Sequence, residues 1–326
     1  MLALLAAAAI AAAPAKPLDV ASAQLAIAPP APPPLPLPDV SILQLGENGQ
    51  RMTVPVQIDA RGPWPFVIDT GAERTVVSRE LAGVLGLSAG PTVNVIAMTG
   101  PVHVGSVVVP RLSVSRIAQD TIEAPALAAQ DLGAAGMLGI DALQGHAVTI
   151  DFAHDRMTLR PARKRATAGA APPPGEVVVT ARSLFGQLIV TNAYWHGTRI
   201  SVIVDTGSPV TVGNSALLAA ITRKPKLIGP LEVLSATGRT LHTTAFAVDR
   251  IDVGGVGLRD MRVAFSDVPP FARFGLGATP ALLLGMDALR LFRTVSIDFA
   301  NREIRFALPP GVVDPNQSHD PFNVRG

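Results

Sequence analysis

The chain contains Asp-Thr-Gly twice, at residues 69–71 and at residues 205–207. Each copy follows a short apolar run, "FVI" in the first and "VIV" in the second. A carboxylate at the end of a strand, followed by Thr and Gly in a tight turn, is aimed outward, and the Gly lets another backbone approach closely. Two such turns can face each other and bring Asp69 and Asp205 together.

Two carboxylates in contact can perform acid–base chemistry. Like charges about 3 Å apart cannot both ionise cheaply, so one pKa rises and the pair shares a proton. A half-protonated pair can bind a water molecule, remove one of its protons and donate another proton to a carbonyl oxygen. We therefore predict that Asp69 and Asp205 are the catalytic residues, with no metal ion and no cofactor.

The blocks around these motifs are also duplicated, in the same order. Three further pairs match: residues 97–100 with 235–238, 136–143 with 282–289, and 148–159 with 295–306. Collinear matches of this kind indicate a tandem duplication with a domain-sized period. If the copies pack about a pseudo-twofold axis, the two Asp residues meet at that axis.

Each copy is predicted to be a lobe of short strands. Segments rich in Val and Ile and bounded by Gly, Pro or Asn occur in both, for example "SVVVPRLSV" in the first and "RISVIVD" in the second. Helical stretches are few, namely "SRELAGVLG", "NSALLAAI", "DALQG" and "DALRLF", and Asp141 and Asp287 are placed to cap the last two. The predicted fold is all-β, with two homologous β-barrel lobes and few short helices.

The composition is that of a globular protein. Of 326 residues, 48% are hydrophobic and 16% charged, and the formal net charge is +2, so no strong field attracts nucleic acid or anionic lipid. The chain has no cysteine, and its six histidines lack the spacing of a zinc site. Repeated acidic residues at Asp151 and Asp298 precede turn sequences and are interpreted as turn residues.

The ends and the middle of the chain give the expected boundaries. The apolar run "MLALLAAAAIAAAPA" ends in a small-x-small pattern and is too short to cross a bilayer, so we expect a signal peptide, a periplasmic or secreted protein and no stable membrane span. Two Pro-rich stretches are interpreted as linkers. The predicted organisation is a signal peptide at 1–15, a linker at 16–39, lobes at 40–160 and 176–308, an interdomain linker at 161–175 and a tail at 309–326.

This set of motifs resembles the aspartic proteases. The resemblance rests on both Asp-Thr-Gly copies, on the hydrophobic-hydrophobic-Gly sequences at 137–139 and 283–285, and on an intervening Thr-Gly in each copy. The duplication is similar to pepsin, whereas the short lobes are similar to the retroviral proteases and their bacterial relatives. The resemblance implies pepsin-like or retropepsin-like lobes and an endopeptidase that acts on a peptide or protein substrate.

The resemblance also implies roles for the residues that support the two carboxylates: Thr70, Gly71, Ala72, Thr206, Gly207 and Ser208. The threonines would hydrogen-bond across to the opposite loop, and the glycines would offer backbone N–H groups to the carboxylates. The Ser208 hydroxyl would bond the neighbouring Asp as in pepsin, whereas Ala72 is similar to the retroviral enzymes. With one hydroxyl rather than two, we expect a mildly acidic to neutral activity optimum, above that of pepsin.

Two flaps are expected to close over the substrate. Both Thr-Gly turns resemble flap tips, and the single Tyr, Tyr194, lies outside them. The candidate substrate-binding residues are Met98, Thr99, Gly100, Ala236, Thr237 and Gly238. Backbone groups there would bind an extended peptide by strand addition.

We favour a two-lobed monomeric enzyme, and two alternatives stay open from sequence. One is a peptide-binding module that kept the fold and lost turnover. The other is an enzyme that acts only as a dimer, in which each Asp-Thr-Gly pairs with its copy in a second chain.

Overall fold

The structure is a computed structural model, and it describes most of the chain after residue 40. The described residues are 41–44, 46–48, 51–114, 117–162, 173 and 175–309, and all belong to one compact unit. The predicted signal peptide (1–15), the predicted linker at 16–39, residues 163–172 and 174 of the interdomain linker, and residues 310–326 of the tail lie outside them.

Strands dominate both halves. The first half contains, in chain order, β1 (Ser41–Gln44), β2 (Gly46–Asn48), β3 (Arg51–Ile58), β4 (Arg61–Ile68), β5 (Val76–Ser78), α1 (Arg79–Leu85), β6 (Ser88–Ala97), β7 (Gly100–Val114), β8 (Ile117–Leu127), α2 (Ala129–Leu132), β9 (Gly136–Leu138), α3 (Ile140–Leu143), β10 (His146–Asp151) and β11 (Arg156–Pro161). The second half contains β12 (Glu176–Leu184), β13 (Gln187–Trp195), β14 (Thr198–Val204), β15 (Thr211–Gly213), α4 (Ser215–Ala220), β16 (Lys226–Leu234), β17 (Thr240–Val253), β18 (Val256–Phe265), α5 (Pro269–Arg273), β19 (Ala281–Leu284), α6 (Met286–Leu289), β20 (Thr294–Asp298) and β21 (Glu303–Ala307).

The two halves repeat one topology. The first lobe orders its strands β2-β3-β4-β9-β5-β8-β7-β6, and the second orders them β12-β13-β14-β19-β15-β18-β17-β16. An additional pairing, β3 with β7 and β13 with β17, curls each sheet back on itself. The predicted two-lobed, all-β fold is confirmed.

An interlobe sheet joins the halves, in the order β1-β11-β10-β20-β21-β12. At its centre β10 and β20 pair antiparallel, with Thr149 opposite Ser296 and their hydroxyl oxygens 2.7 Å apart. These two residues occupy the same position in the repeated blocks, so a pseudo-twofold axis passes between them. The lobes therefore share a sheet rather than being joined by a linker alone.

Burial explains why these segments are strands. In β3, Met52, Val54, Val56 and Ile58 are buried, and the residues at 55 and 57 are exposed, which is the period-two pattern of a sheet with one face on a core. Burying each such side chain stabilises the fold by about 1.5–3 kcal/mol. One large apolar cluster of this kind extends through both lobes and the interlobe sheet.

The helices are short and begin at identifiable caps. The Ser78 hydroxyl accepts from Leu81 N at 3.0 Å at the start of α1, and Asn214 Oδ1 accepts from Leu217 N at 2.8 Å at the start of α4. Helices α2 and α5 were not predicted. None of the helices in the described part of the chain is long and apolar enough to span a membrane.

The predicted capping role of Asp141 and Asp287 is wrong. Helices α3 and α6 begin two residues earlier than caps at these Asp residues require, so Gly139 and Gly285 take the cap positions and make no side-chain cap bond. Both Asp side chains instead point toward the loops that carry Asp69 and Asp205.

Candidate active site

Asp69 and Asp205 each follow an interior strand of a lobe, β4 and β14. Strand β4 pairs parallel with β9, and β14 pairs parallel with β19, so each Asp lies beside a hydrophobic-hydrophobic-Gly block. Asp69 N donates to Leu138 O and Asp205 N donates to Leu284 O, both at 3.0 Å. The two motifs that recur in the sequence are thus neighbours in space in both lobes.

Thr70 and Thr206 connect the two Asp loops through reciprocal hydrogen bonds. Each threonine hydroxyl accepts from the backbone N–H of the other threonine at 3.1 Å. Each hydroxyl also donates to a carbonyl of the opposite lobe, Thr70 to Val204 O and Thr206 to Ile68 O, both at 2.9 Å. All four bonds are buried, which holds the loops in one relative position.

The glycines bring each loop against the carboxylate of the other lobe. Gly71 N donates to Asp69 Oδ1 and Gly207 N donates to Asp205 Oδ1, both at 2.8 Å. A Cβ added to Gly71 would lie 2.6 Å from Asp205 Cγ, and one added to Gly207 would be even closer to Asp69. Only glycine fits at these two positions.

The carboxyl groups of Asp69 and Asp205 interact directly and differ in burial. Asp205 is buried, with 8% of its surface exposed, whereas Asp69 is half-buried. Burial, the charge of Asp69 and a side-chain hydrogen bond with it raise the pKa of Asp205 well above its usual range, although the amides of Gly207 and Ser208 act in the opposite direction. The raised pKa favours the protonated form of Asp205, and the two carboxyl groups titrate as a coupled pair.

Ser208 supports Asp205 differently from the expectation. Its hydroxyl donates to Val210 O at 2.7 Å, and its backbone N–H reaches Asp205 Oδ1 at 3.2 Å. The hydroxyl therefore bonds within its own turn and not to the carboxylate. Ala72, at the equivalent position, has no hydroxyl, so neither of these positions donates a hydroxyl to a carboxylate.

A second set of bonds, not predicted from the sequence, braces each Asp loop. The hydroxyl of Thr75 donates to Asp141 Oδ1 at 2.7 Å, and that of Thr211 donates to Asp287 Oδ1 at 2.6 Å. Each threonine oxygen in turn accepts, at 3.1 Å, from the glycine that ends the hydrophobic-hydrophobic-Gly block. Aligning "DTGAERT" with "DTGSPVT" would have shown the repeated Thr.

A hairpin stands at each predicted flap. Strands β6 and β7 turn at residues 98–99, and β16 and β17 turn at 235–239. Met98 packs against the apolar cluster of the second lobe that contains Phe271 and Phe274. Ala236 packs against the cluster of the first lobe that contains Leu127 and Met137. Each flap tip therefore rests on the opposite lobe.

The flaps cover a cavity of about 310 Å³ that contains both Asp residues. Among the predicted flap residues, Met98, Ala236 and Thr237 line it. Thr99, Gly100 and Gly238 do not line the cavity, and Gly238 lies against Asp131 of the first lobe instead. Their contact with substrate stays a prediction.

Gln187, at the start of β13, was missed by sequence reasoning. It is 1% exposed, lines the cavity, and its Nε2 donates to the backbone oxygen of Gly71. The contact links residues 116 positions apart, and no local pattern marks it.

The comparisons with known proteins agree with this geometry. Residues 54–145 match a family described as gag-polyprotein putative aspartyl protease, and residues 191–288 match a family described as aspartyl protease. A comparison with curated proteins found no match. The two matched segments together span more than half of the chain, and each contains one Asp-Thr-Gly. The chain belongs to the aspartic protease family and carries two of its domains in tandem, one in each lobe.

Proposed function

We propose that the protein is an aspartic endopeptidase that hydrolyses peptide bonds with water activated between Asp69 and Asp205. One observation carries the proposal. The two carboxyl groups interact directly at the floor of a cavity that two hairpins cover. An arrangement that only stabilised the fold would not need a buried acid in contact with a second, half-buried acid, because such a pair is unfavourable without a compensating role.

The shared proton assigns the first roles. The Asp69 carboxylate removes a proton from the water molecule as its oxygen attacks the carbonyl carbon of the substrate, and protonated Asp205 donates its proton to the carbonyl oxygen. The resulting tetrahedral species then collapses. Its nitrogen takes a proton from Asp69, the C–N bond breaks, and Asp205 recovers a proton from a hydroxyl of the new carboxyl group.

The flaps provide the expected binding mode for an extended peptide. Strands β6 and β16 are the terminal strands of their sheets, so each presents an unpaired edge. A peptide laid beneath the tips can add to such edges through backbone hydrogen bonds. Water would be largely excluded from the site once the tips rest on the peptide.

Replacing either acid tests the proposal. We expect Asp69→Asn and Asp205→Asn each to lower kcat/KM on a cleaved library peptide by about 10²–10⁴-fold, the usual contribution of acid–base catalysis. The control is Asp120→Asn, since Asp120 is an exposed acid on β8 far along the chain from both loops. Cleavage that persists in both variants would refute the mechanism, and peptide binding without cleavage by the wild type would favour the binding module.

We also propose that one chain forms the whole site and that its N-terminal run directs export. The first point is supported by the pairing of Asp69 and Asp205 within a single chain, and the second by the sequence of residues 1–15 alone. Activity that stays constant per chain on dilution, with a monomeric mass by light scattering, would support the first. Recovery from the cytoplasm of a chain that lacks residues 1–15 would contradict the proposed export.

A further inference from the structure

The two halves of the cavity are not chemically equivalent. Glu73 and Arg74 follow the first Asp-Thr-Gly-Ala, whereas Pro209 and Val210 occupy the same places after the second copy. Glu73, Arg74 and Pro209 all line the cavity, and Val210 packs with the apolar cluster of the second lobe. The pseudo-twofold axis therefore relates a charged turn to an apolar turn, and we call the part of the cavity lined by Glu73, Arg74 and Arg273 its charged end.

Arg273 of α5 completes the charged end from the opposite lobe. Its Nε is 3.1 Å from Glu73 Oε1 and its Nη2 is 3.3 Å from Oε2, and its guanidinium lies 3.7 Å over the centre of the Phe185 ring. These contacts orient the guanidinium from one edge and one face. Its Nη1 has no hydrogen-bond partner in the described part of the chain.

The two arginines at this end are paired to different degrees. Arg273 engages both oxygens of Glu73, and both side chains line the same cavity as Asp69 and Asp205. Arg74 is more than half exposed, and its ion pair with Glu123 is as long as 4.0 Å. An oriented guanidinium with a free N–H edge is well suited to a carboxylate.

We propose that the charged end binds a carboxylate of the substrate through Arg273, so that the enzyme prefers peptides with an acidic group on one side of the scissile bond. This inference rests on the proposed function, and it specifies the substrate class of the same cavity. The carboxylate comes either from an Asp or Glu side chain or from the C-terminus of a short peptide.

Matched peptides that differ only in one carboxylate test whether that group causes the preference. A peptide cleaved by the full-length protein is made in variants that carry Glu or Gln at each flanking position in turn, each with a free or an amidated C-terminus. We expect one position, or the free terminus, to raise kcat/KM by about fivefold to tenfold, an effect that weakens as salt is added because the site is partly exposed.

Two substitutions at the charged end should change the preference, defined as the ratio of kcat/KM for the acidic peptide to kcat/KM for the matched neutral peptide, in opposite directions. In Arg273→Gln the ratio of acidic to neutral peptide should fall to about one, and in Glu73→Gln it should rise above that of the wild type, because Nε and Nη2 become free for the substrate. Arg259→Gln, which removes an exposed arginine on β18, is the control and should leave the ratio unchanged. An unchanged ratio in Arg273→Gln would overturn the inference, as would equal rates for acidic and neutral peptides at every position.

Binding measurements distinguish this inference from the proposed activity. The dissociation constants of the same peptides are measured on Asp69→Asn, whose fold is checked by circular dichroism. A fivefold to tenfold preference for the acidic peptide that disappears in Asp69→Asn/Arg273→Gln would support the carboxylate site even if the wild type cleaves nothing. Equal dissociation constants for the acidic and neutral peptides would refute it even if the enzyme is active.

Discussion

Placing a methyl group on Gly71 should disable the site with little effect on the rest of the fold. The added Cβ would lie 2.6 Å from Asp205 Cγ and 2.7 Å from each of its carboxyl oxygens, whereas ordinary van der Waals contact begins at 3.4 Å. The overlap is roughly 0.8 Å, so either the carboxyl group or the loop must move by a comparable distance. A displacement of about 1 Å in a catalytic group costs on the order of 100-fold in rate.

The assay compares Gly71→Ala with Gly105→Ala on one peptide. Gly105 lies in β7 with no atom within 4 Å of the added Cβ, so that substitution meets open space. We expect kcat/KM to fall by about 100-fold or more in Gly71→Ala, with a loss of about 1–3 kcal/mol in the free energy of unfolding. Cleavage by Gly71→Ala within a few fold of Gly105→Ala would refute the contact between each loop and the opposite carboxyl group.

Three further predictions follow from the same contacts. Thr206→Val removes a buried donor and a buried acceptor and should lower the free energy of unfolding, measured in urea, by about 2–4 kcal/mol. Thr92→Val, at an exposed position, should change it by less than about 0.5 kcal/mol, and equal effects would contradict the stabilising role of the reciprocal threonine bonds. Because the pKa of Asp205 is raised in the folded state by burial and by Asp69, the contribution of this group to stability is present below its unfolded pKa and is lost as the pH rises through its folded pKa. Asp205→Asn should therefore be more stable than the wild type by about 1 kcal/mol or more near pH 8, with a difference that shrinks toward about pH 4, and a difference that grows on acidification would show the sign to be wrong. Met98→Ala should raise KM by about fivefold and change kcat less, because the first flap tip loses its packing on the second lobe, whereas Val84→Ala on the exposed face of α1 should change neither.

The duplicated fold could be predicted from sequence because its signals are local and occur twice. The run before Asp69 is apolar because β4 is buried between neighbours, and the same is true of the run before Asp205 in β14. The reciprocal bonds of Thr70 and Thr206 were also expected, but from the resemblance to aspartic proteases rather than from the residues themselves. A repeated motif in a repeated context is a stronger indication than either copy alone.

The missed features depend on contacts between distant segments or on elements too short to show periodicity. Helix α2 has four residues and α5 has five, which is less than two turns, so neither shows a helical pattern of apolar residues. The Pro pair at the start of α5 fits the first turn of a helix, where a missing N–H has no effect. Gln187 and Arg273 reach the site only because the lobes pack together, and each bonds the loop of the other lobe.

The tandem arrangement lets a symmetric scaffold hold an asymmetric site. The bonds that fix the two Asp loops are equal in length on both sides, whereas the surroundings of the two carboxyl groups differ: Asp205 is buried and Asp69 is half-buried. Gln187 binds the Gly71 carbonyl of the first loop, and Glu73 stands where the second loop has Pro209. Two identical chains related by an exact twofold axis would give both acids the same environment, so neither would be favoured as the base before substrate binds. In a single chain the lobes differ in sequence, and the raised pKa of Asp205 favours its protonated form before the peptide arrives, in agreement with the proposed role of Asp205 as the acid.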